Sequence, residues 1–133
     1  MDDLRHETAL AKIERMDAHR VEVRFKPAVR VDAKGIAEIM GLRKALCGMD
    51  RVAILVVIPS DVELDMGLMN LDHYRANDSA DQLTAVAVVA EGSMGEMMVR
   101  LYYAYFPPTF QCQMFSLESE AALWLRQQVK TKA

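Results

Sequence analysis

The sequence is poor in the residues that mark secreted, membrane-spanning or low-complexity proteins. Its 133 residues include only 2 cysteines, 6 glycines and 4 prolines. Cys47 and Cys112 lie far apart and have no cysteine or histidine at metal-ligand spacing, which argues against a disulfide framework and a zinc site. The longest aliphatic runs, Val52–Ile58 and Ala85–Ala90, are far shorter than the roughly 20 residues of a transmembrane helix. We therefore predict no membrane span.

Length and composition predict one globular domain over residues 1–133. Hydrophobic residues make up 52% of the chain and charged residues 26%, which is typical of a protein that buries a core. The chain opens with Asp2 and Asp3 and not with a basic segment followed by an apolar one. We therefore expect no secretion signal and a cytoplasmic protein.

Negative charge is concentrated in one segment of the chain. The formal net charge is −3. Between residues 61 and 81, a single arginine faces the acidic residues Asp61, Glu63, Asp65, Asp72, Asp78 and Asp81. Nucleic-acid binding depends on neutralising phosphates with Lys and Arg, so we expect no nucleic-acid partner. The segment lacks the ligand spacing of a calcium loop, so we interpret it as a solvated acidic loop and assign no metal or cofactor.

Strands and helices alternate along most of the chain. Residues 20–26 alternate apolar and charged side chains, which predicts a half-buried strand, and Leu10–Met16 is interpreted as its hairpin partner. Val52–Ile58 and Leu83–Ala90 are unbroken apolar runs, which suit central strands covered on both faces. A last strand is predicted where Phe110, Cys112 and Met114 alternate with glutamines.

Four helices are predicted between these strands. The first is capped by Asp32 and ends at Gly48. A short second helix follows from the spacing of Leu64, Leu68 and Leu71 and extends to about Tyr74; residues 75–81 form a polar loop. The third begins at Ser93, and its predicted buried stripe consists of Met94, Met97, Met98, Leu101, Tyr102 and Tyr105, with Tyr103 pointing elsewhere. The fourth, capped by Ser116, packs through Trp124 and Leu125.

The predicted fold class is therefore α/β. It has a four- or five-stranded, mostly parallel or mixed sheet, an N-terminal β-hairpin and about four helices. The order of elements and the closing pattern from Pro107 to Leu125 (Pro-x-x-Phe, Met-Phe, then Ala-x-x-Trp-Leu) resemble the SpoIIAA-like superfamily, in particular small bacterial STAS or STAS/CRAL-TRIO-like domains. The resemblance covers about residues 10–128.

The resemblance implies a non-enzymatic module, namely a homodimeric regulatory or protein-interaction domain. Anti-sigma-factor antagonists of this fold carry a phosphorylatable serine in an Asp-Ser-(Ser)-Gly turn. Here the corresponding turn is Asp65-Met66-Gly67, and methionine cannot accept phosphate. Ser60, five residues earlier, does not replace it, so we assign no phosphorylation site.

Two alternatives to a regulatory module remain open. A carrier of a small apolar ligand is suggested by Met94, Met97 and Met98 and the neighbouring tyrosines. A small hydrolase or isomerase would use His73 with Asp72 or Tyr74. No nucleophile motif accompanies His73, so we expect it to face solvent at a helix end and predict a protein without catalytic residues.

The candidate ligand or partner surface is a set of five residues near the second and third helices. Its members are Asp65, His73, Tyr74, Arg75 and Tyr103.

Overall fold

A mixed sheet of six strands forms the centre of the computed structural model, which describes residues 4–77, 79–90 and 92–132. From edge to edge the strands are β1 (Arg5–Glu7), β2 (Ala11–Arg15), β3 (Arg20–Phe25), β5 (Val52–Ile58), β7 (Leu83–Ala90) and β8 (Gln111–Phe115). Two further short strands, β4 (Arg30–Val31) and β6 (Glu63–Leu64), pair with each other in parallel. The first two pairings of the large sheet are antiparallel and the other three are parallel.

The described part of the chain also contains four α-helices and two short 3-10 helices. The α-helices are α1 (Ala33–Cys47), α2 (His73–Ala76), α3 (Ser93–Tyr105) and α4 (Glu118–Lys132). The 3-10 helices span Met66–Asn70 and Ala80–Gln82. The predicted α/β class is confirmed, although the sheet has six strands and not four or five.

The two apolar runs form the central strands, as predicted. β5 and β7 are parallel neighbours, with Ile54 opposite Val86 and Val56 opposite Val88. The predicted hairpin is also present, because β2 and β3 pair in antiparallel fashion. Three short strands were not indicated by the sequence. They are β4, β6 and β1, and β1 is a three-residue edge strand with no apolar pattern that pairs with β2.

The first helix has the predicted ends. The Asp32 side chain accepts a hydrogen bond from the Gly35 backbone N–H at 2.9 Å, which satisfies one of the free donors of the first turn. Gly48 ends the helix with φ of 59°, a left-handed conformation that glycine adopts without a steric penalty.

The predicted continuous helix from Leu64 to Tyr74 is wrong. Asp65 caps a 3-10 helix through the Gly67 N–H, and Asp72 caps α2 through the N–H groups of Tyr74 and Arg75. Two aspartate caps seven residues apart start two short helices and not one long helix. The predicted polar loop over residues 75–81 likewise contains the end of α2 and the start of the second 3-10 helix.

The buried stripe predicted for α3 is also wrong. Met94, Met97, Leu101 and Tyr105 are 71%, 55%, 47% and 70% exposed. Met98 and Tyr102 do line the interior, but Val99 and Tyr103 join them there, so Tyr103 points inward and not elsewhere. Because α3 is apolar on almost every side, its periodicity is compatible with more than one buried face.

Side chains of the central strands alternate between two separate apolar layers. On one face, α4 packs against a small cluster that includes Ala53, Leu55, Ala85 and Ala87. On the other face, α1, α3 and the short helices between β6 and β7 cover a larger cluster. The candidate site lies on this second face.

Candidate functional site

A cavity of about 160 Å³ lies between the central strands and the helices α1 and α3. Its wall is almost entirely hydrocarbon. The apolar residues that line it include Val23, Phe25, Val31, Ile36, Ile39, Ile54, Val56, Ile58, Val86, Val88, Met98 and Val99.

The size of this cavity corresponds to one small organic molecule. Well-packed protein interiors contain few voids larger than a water molecule. Engineered cavities of roughly 150 Å³ with similar apolar walls stay dry and bind benzene or xenon. The cavity is therefore chemically suited to an apolar group about the size of a six-membered ring.

Three of the five predicted site residues lie on the cavity wall, and two do not. His73, Tyr74 and Tyr103 line the cavity. Asp65 instead forms an ion pair with Arg30, with 2.6 Å between the carboxylate oxygen and Nη2. Arg75 extends into solvent, with 78% of its side chain exposed and its Nε 3.8 Å from Asp72.

Tyr74 and Tyr103 form a hydrogen-bonded pair at the cavity. Their phenol oxygens are 2.7 Å apart, and their rings stack with 6.2 Å between centroids. Burial is the main cause that raises the pKa of both phenols, so both remain protonated at neutral pH. Tyr74 also contacts Phe110 edge to face, at 4.9 Å between centroids. The α2 and α3 segments are thereby joined across the cavity wall.

His73 is buried, so the prediction that it faces solvent is wrong. Its side chain is 5% exposed, and its Nε2 lies 2.9 Å from the Leu68 carbonyl oxygen. Because a carbonyl oxygen can only accept, Nε2 carries the proton of this hydrogen bond. The His73 backbone N–H donates to the Tyr102 hydroxyl at 2.7 Å, and the two rings stack. These contacts attach α2 to α3.

The pairing of His73 with Asp72, which the hydrolase or isomerase alternative would use, is not among the hydrogen bonds of the described residues. The carboxylate of Asp72 accepts hydrogen bonds from the backbone N–H groups of Tyr74 and Arg75, at 3.1 and 3.2 Å. Its role is therefore the N-terminal cap of α2. A cap of this kind satisfies free backbone donors and holds the helix start in place.

Arg43 is a cavity residue that the sequence analysis did not select. It extends from α1, is 2% exposed and lines the cavity. Nη1 donates to Gln82 Oε1 at 3.1 Å, whereas Nη2 has no hydrogen-bond acceptor among the described residues. Burial lowers the pKa of the guanidinium. A signal was available, because Arg43 lies on the same helical stripe as Ile36, Ile39 and Cys47.

The two cysteines are free thiols. Burial is the main cause that raises the pKa of Cys47, and it raises the pKa of Cys112 to about 11. Neither thiol is therefore ionised to an appreciable extent at neutral pH, and thiolates are the nucleophilic form of cysteine.

The described residues contain no group of three histidine, cysteine or acidic side chains that could hold a metal ion. Within the same residues, no helix is both long and apolar enough to cross a bilayer. Met66, at the position where the resemblance places serine in phosphorylated relatives, is 72% exposed at the start of the first 3-10 helix.

The fold is SpoIIAA-like. The structure is similar to the crystal structure of an uncharacterised protein of the DUF3478 family, described as having a SpoIIAA-like fold, from Shewanella loihica PV-4. The TM-score is 0.60 at 16% sequence identity, and the match covers 94% of this chain and 98% of the other. At this level of sequence identity, the likeness concerns the fold alone.

The chain belongs to a family described as a domain of unknown function, DUF7793, whose model matches residues 21–129. No curated protein matches the sequence.

Proposed function

We propose that this protein is a non-catalytic regulatory module of the STAS type whose cavity binds a small, largely apolar molecule. The observation that carries the proposal is the cavity of about 160 Å³ beneath α3, with its hydrocarbon wall. Apolar surface of this kind favours apolar ligands because their transfer from water is favourable.

The chemistry of the polar groups at the cavity supports binding over catalysis. Tyr74 and Tyr103 hydrogen bond to each other, and burial raises the pKa of each. One nitrogen of His73 is held by the Leu68 carbonyl. General bases and nucleophiles work best with a pKa near the working pH, which these phenols do not have.

The proposal is tested by titrating the full chain with toluene and following the methyl groups of Val86, Met98 and Val99 by NMR. We expect saturable shifts at these cavity residues. Val99→Phe should fill the space and abolish the shifts, and Leu123→Phe, on the exposed side of α4, is the matched control and should retain them. Circular dichroism verifies that both variants fold.

The absence of saturable shifts at the cavity methyl groups of the folded wild-type chain would contradict the proposal. Equal toluene binding by wild type and a folded Val99→Phe would also contradict it, because the ligand would then be bound elsewhere.

A second candidate function is self-association through the outer side of α3. The exposed stripe on α3 consists of Met94, Met97, Leu101 and Tyr105, at the helical spacing of a packing face. Glu96 and Arg100, which pair with each other at 2.9 Å, are the charged residues of the same helix. We propose a second copy of this chain as the partner, since a two-fold axis near the middle of α3 would bring Glu96 of one copy opposite Arg100 of the other.

Sedimentation velocity over a range of protein concentrations tests this association. We expect a reversible dimer that Leu101→Glu disrupts, because the substitution places a charge in the centre of the stripe. Leu123→Glu makes the same change on the exposed side of α4 and should leave the dimer intact. A monomer at every concentration would contradict the second candidate.

A further inference from the structure

Arg43 places a positive charge on the wall of an otherwise apolar cavity. Its side chain is 2% exposed, and it lies among the residues that line the space. Charged side chains are almost never fully buried unless they are paired, because taking a charge out of water is costly. The position of this guanidinium therefore needs an explanation beyond packing.

The described surroundings do not neutralise the guanidinium. Nη1 donates to the neutral amide oxygen of Gln82, and Nη2 has no acceptor within the described residues. The nearby Cys47 thiol is kept protonated because burial raises its pKa. No aspartate or glutamate is among the described residues that line the cavity.

We propose that the ligand of this cavity is a small monocarboxylic acid, whose apolar body occupies the hydrocarbon space and whose carboxylate is bound by the guanidinium of Arg43. This inference rests on the proposed function and specifies its ligand class. A guanidinium is the side chain best matched to a carboxylate, since its planar N–H groups face the two oxygens. One guanidinium neutralises one charge, which favours a monocarboxylate over a doubly charged phosphate.

The cavity volume limits the body of this acid. About 160 Å³ corresponds to a benzene-sized group. Aromatic acids such as benzoate and short aliphatic acids such as hexanoate share the required chemistry, namely one carboxylate on a compact hydrocarbon. Comparing these two acids in the same assay distinguishes a flat body from a flexible one.

The test compares ligands that differ in charge and not in shape. The full chain is titrated by NMR with benzoate, with its neutral isostere nitrobenzene and with toluene; hexanoate is compared with 1-hexanol. For the wild type we expect the acids to bind about 10- to 100-fold more tightly than their neutral partners, as charge-assisted hydrogen bonds do.

Variants of Arg43 assign this preference to the guanidinium. Arg43→Met should reduce benzoate affinity to that of nitrobenzene and leave toluene binding intact. Arg43→Lys, which keeps the charge but loses the planar fork, should retain part of the preference. Arg126→Met, on the exposed side of α4, removes an arginine on the opposite face of the sheet and should behave as wild type.

The outcomes separate this inference from the proposed function. If toluene binds the cavity but benzoate and nitrobenzene bind equally, the acid preference is overturned and the apolar site stands. If benzoate binding survives Arg43→Met unchanged, the role of Arg43 is overturned. If none of the probes shifts the cavity methyl groups, the proposed function fails together with the inference.

Discussion

The two faces of the sheet are packed in different ways. On the α4 face, small side chains such as Ala53, Ala85 and Ala87 are fully buried and let the helix come close enough for Leu55 and Leu125 to fill the space. The opposite face carries larger valine and isoleucine side chains, yet it contains the cavity.

The difference lies in the covering helix and not in the amount of apolar sequence. Met94, Met97 and Leu101 of α3 point outward. Its inward side presents Met98, Val99, Tyr102 and Tyr103, which line the cavity without filling it. Close packing requires complementary shapes on both layers, so an apolar sequence alone does not produce a filled core.

The largest effect is expected where a side chain is removed from the tight face. Leu55→Ala should lower the free energy of unfolding by about 4 kcal/mol, within the range of buried leucine truncations. Ile54→Ala, one residue away on the cavity face, should lower it by about 2 kcal/mol, because atoms beside a void have fewer contacts to lose. Urea unfolding at pH 7 measures both. An equal or larger cost for Ile54→Ala would contradict the difference between the faces.

Adding volume should also cost more on the tight face than on the cavity face. Ala87→Val, on the tight face of β7, should cost about 1 to 3 kcal/mol, because overpacking forces neighbours to move. Val88→Ile, on the adjacent residue that faces the cavity, should leave the free energy of unfolding unchanged or raise it slightly. A cost for Val88→Ile as large as that for Ala87→Val would show that the second face has no free space.

Replacing the buried guanidinium should stabilise the ligand-free protein. Arg43→Met keeps an unbranched, flexible side chain at this position and removes an incompletely paired polar group from an apolar wall, which is worth about 1 to 2 kcal/mol. Thermal and urea unfolding in ligand-free buffer measure the change, with Arg126→Met as the control. Destabilisation by Arg43→Met would show that the guanidinium is structurally satisfied.

The smallest effect is expected at alkaline pH. Burial raises the pKa of Tyr103 above its ordinary value of 10.0. The folded state therefore holds the phenol proton more tightly than the unfolded state, so this stabilisation is complete below pH 10 and is lost as the pH rises further. Tyr103→Phe should cost about 1 kcal/mol at pH 7 through the lost hydrogen bond and should make the alkaline decline shallower.

Tyr105→Phe is the matched control for this experiment, because Tyr105 lies on the same helix and is exposed. Its unfolding profile between pH 8 and pH 11 should follow that of the wild type. A Tyr103→Phe profile with the wild-type alkaline decline would contradict the account of the buried pair.

Local signals were sufficient to predict most of the sheet. The uninterrupted β-branched run Val52–Ile58 and the cap residues Asp32 and Gly48 each specify one structure by short-range chemistry. The region after β6 was misjudged because the leucine spacing fits one helix, whereas the aspartates Asp65 and Asp72 start two. Spacing reports which side chains could share a face, and capping decides where the helices begin.

The candidate site could be predicted only in part, because it is assembled from long-range contacts. His73, Tyr74 and Tyr103 were selected by residue type, but their meeting at the cavity depends on how α2 and α3 cross. Arg43 was missed although it interrupts the apolar stripe of α1. A charged residue within such a stripe is a signal that a sequence analysis can use.

The most direct test of the central claim is a crystal structure of the full chain under xenon pressure, because xenon enters apolar cavities of this size. The account predicts a xenon atom between the central strands and α3, in contact with Val86 and Val99, and no xenon beneath α4. A xenon-free interior in a well-ordered crystal, with Tyr102 and Tyr103 packed directly onto the strands, would contradict the existence of the cavity.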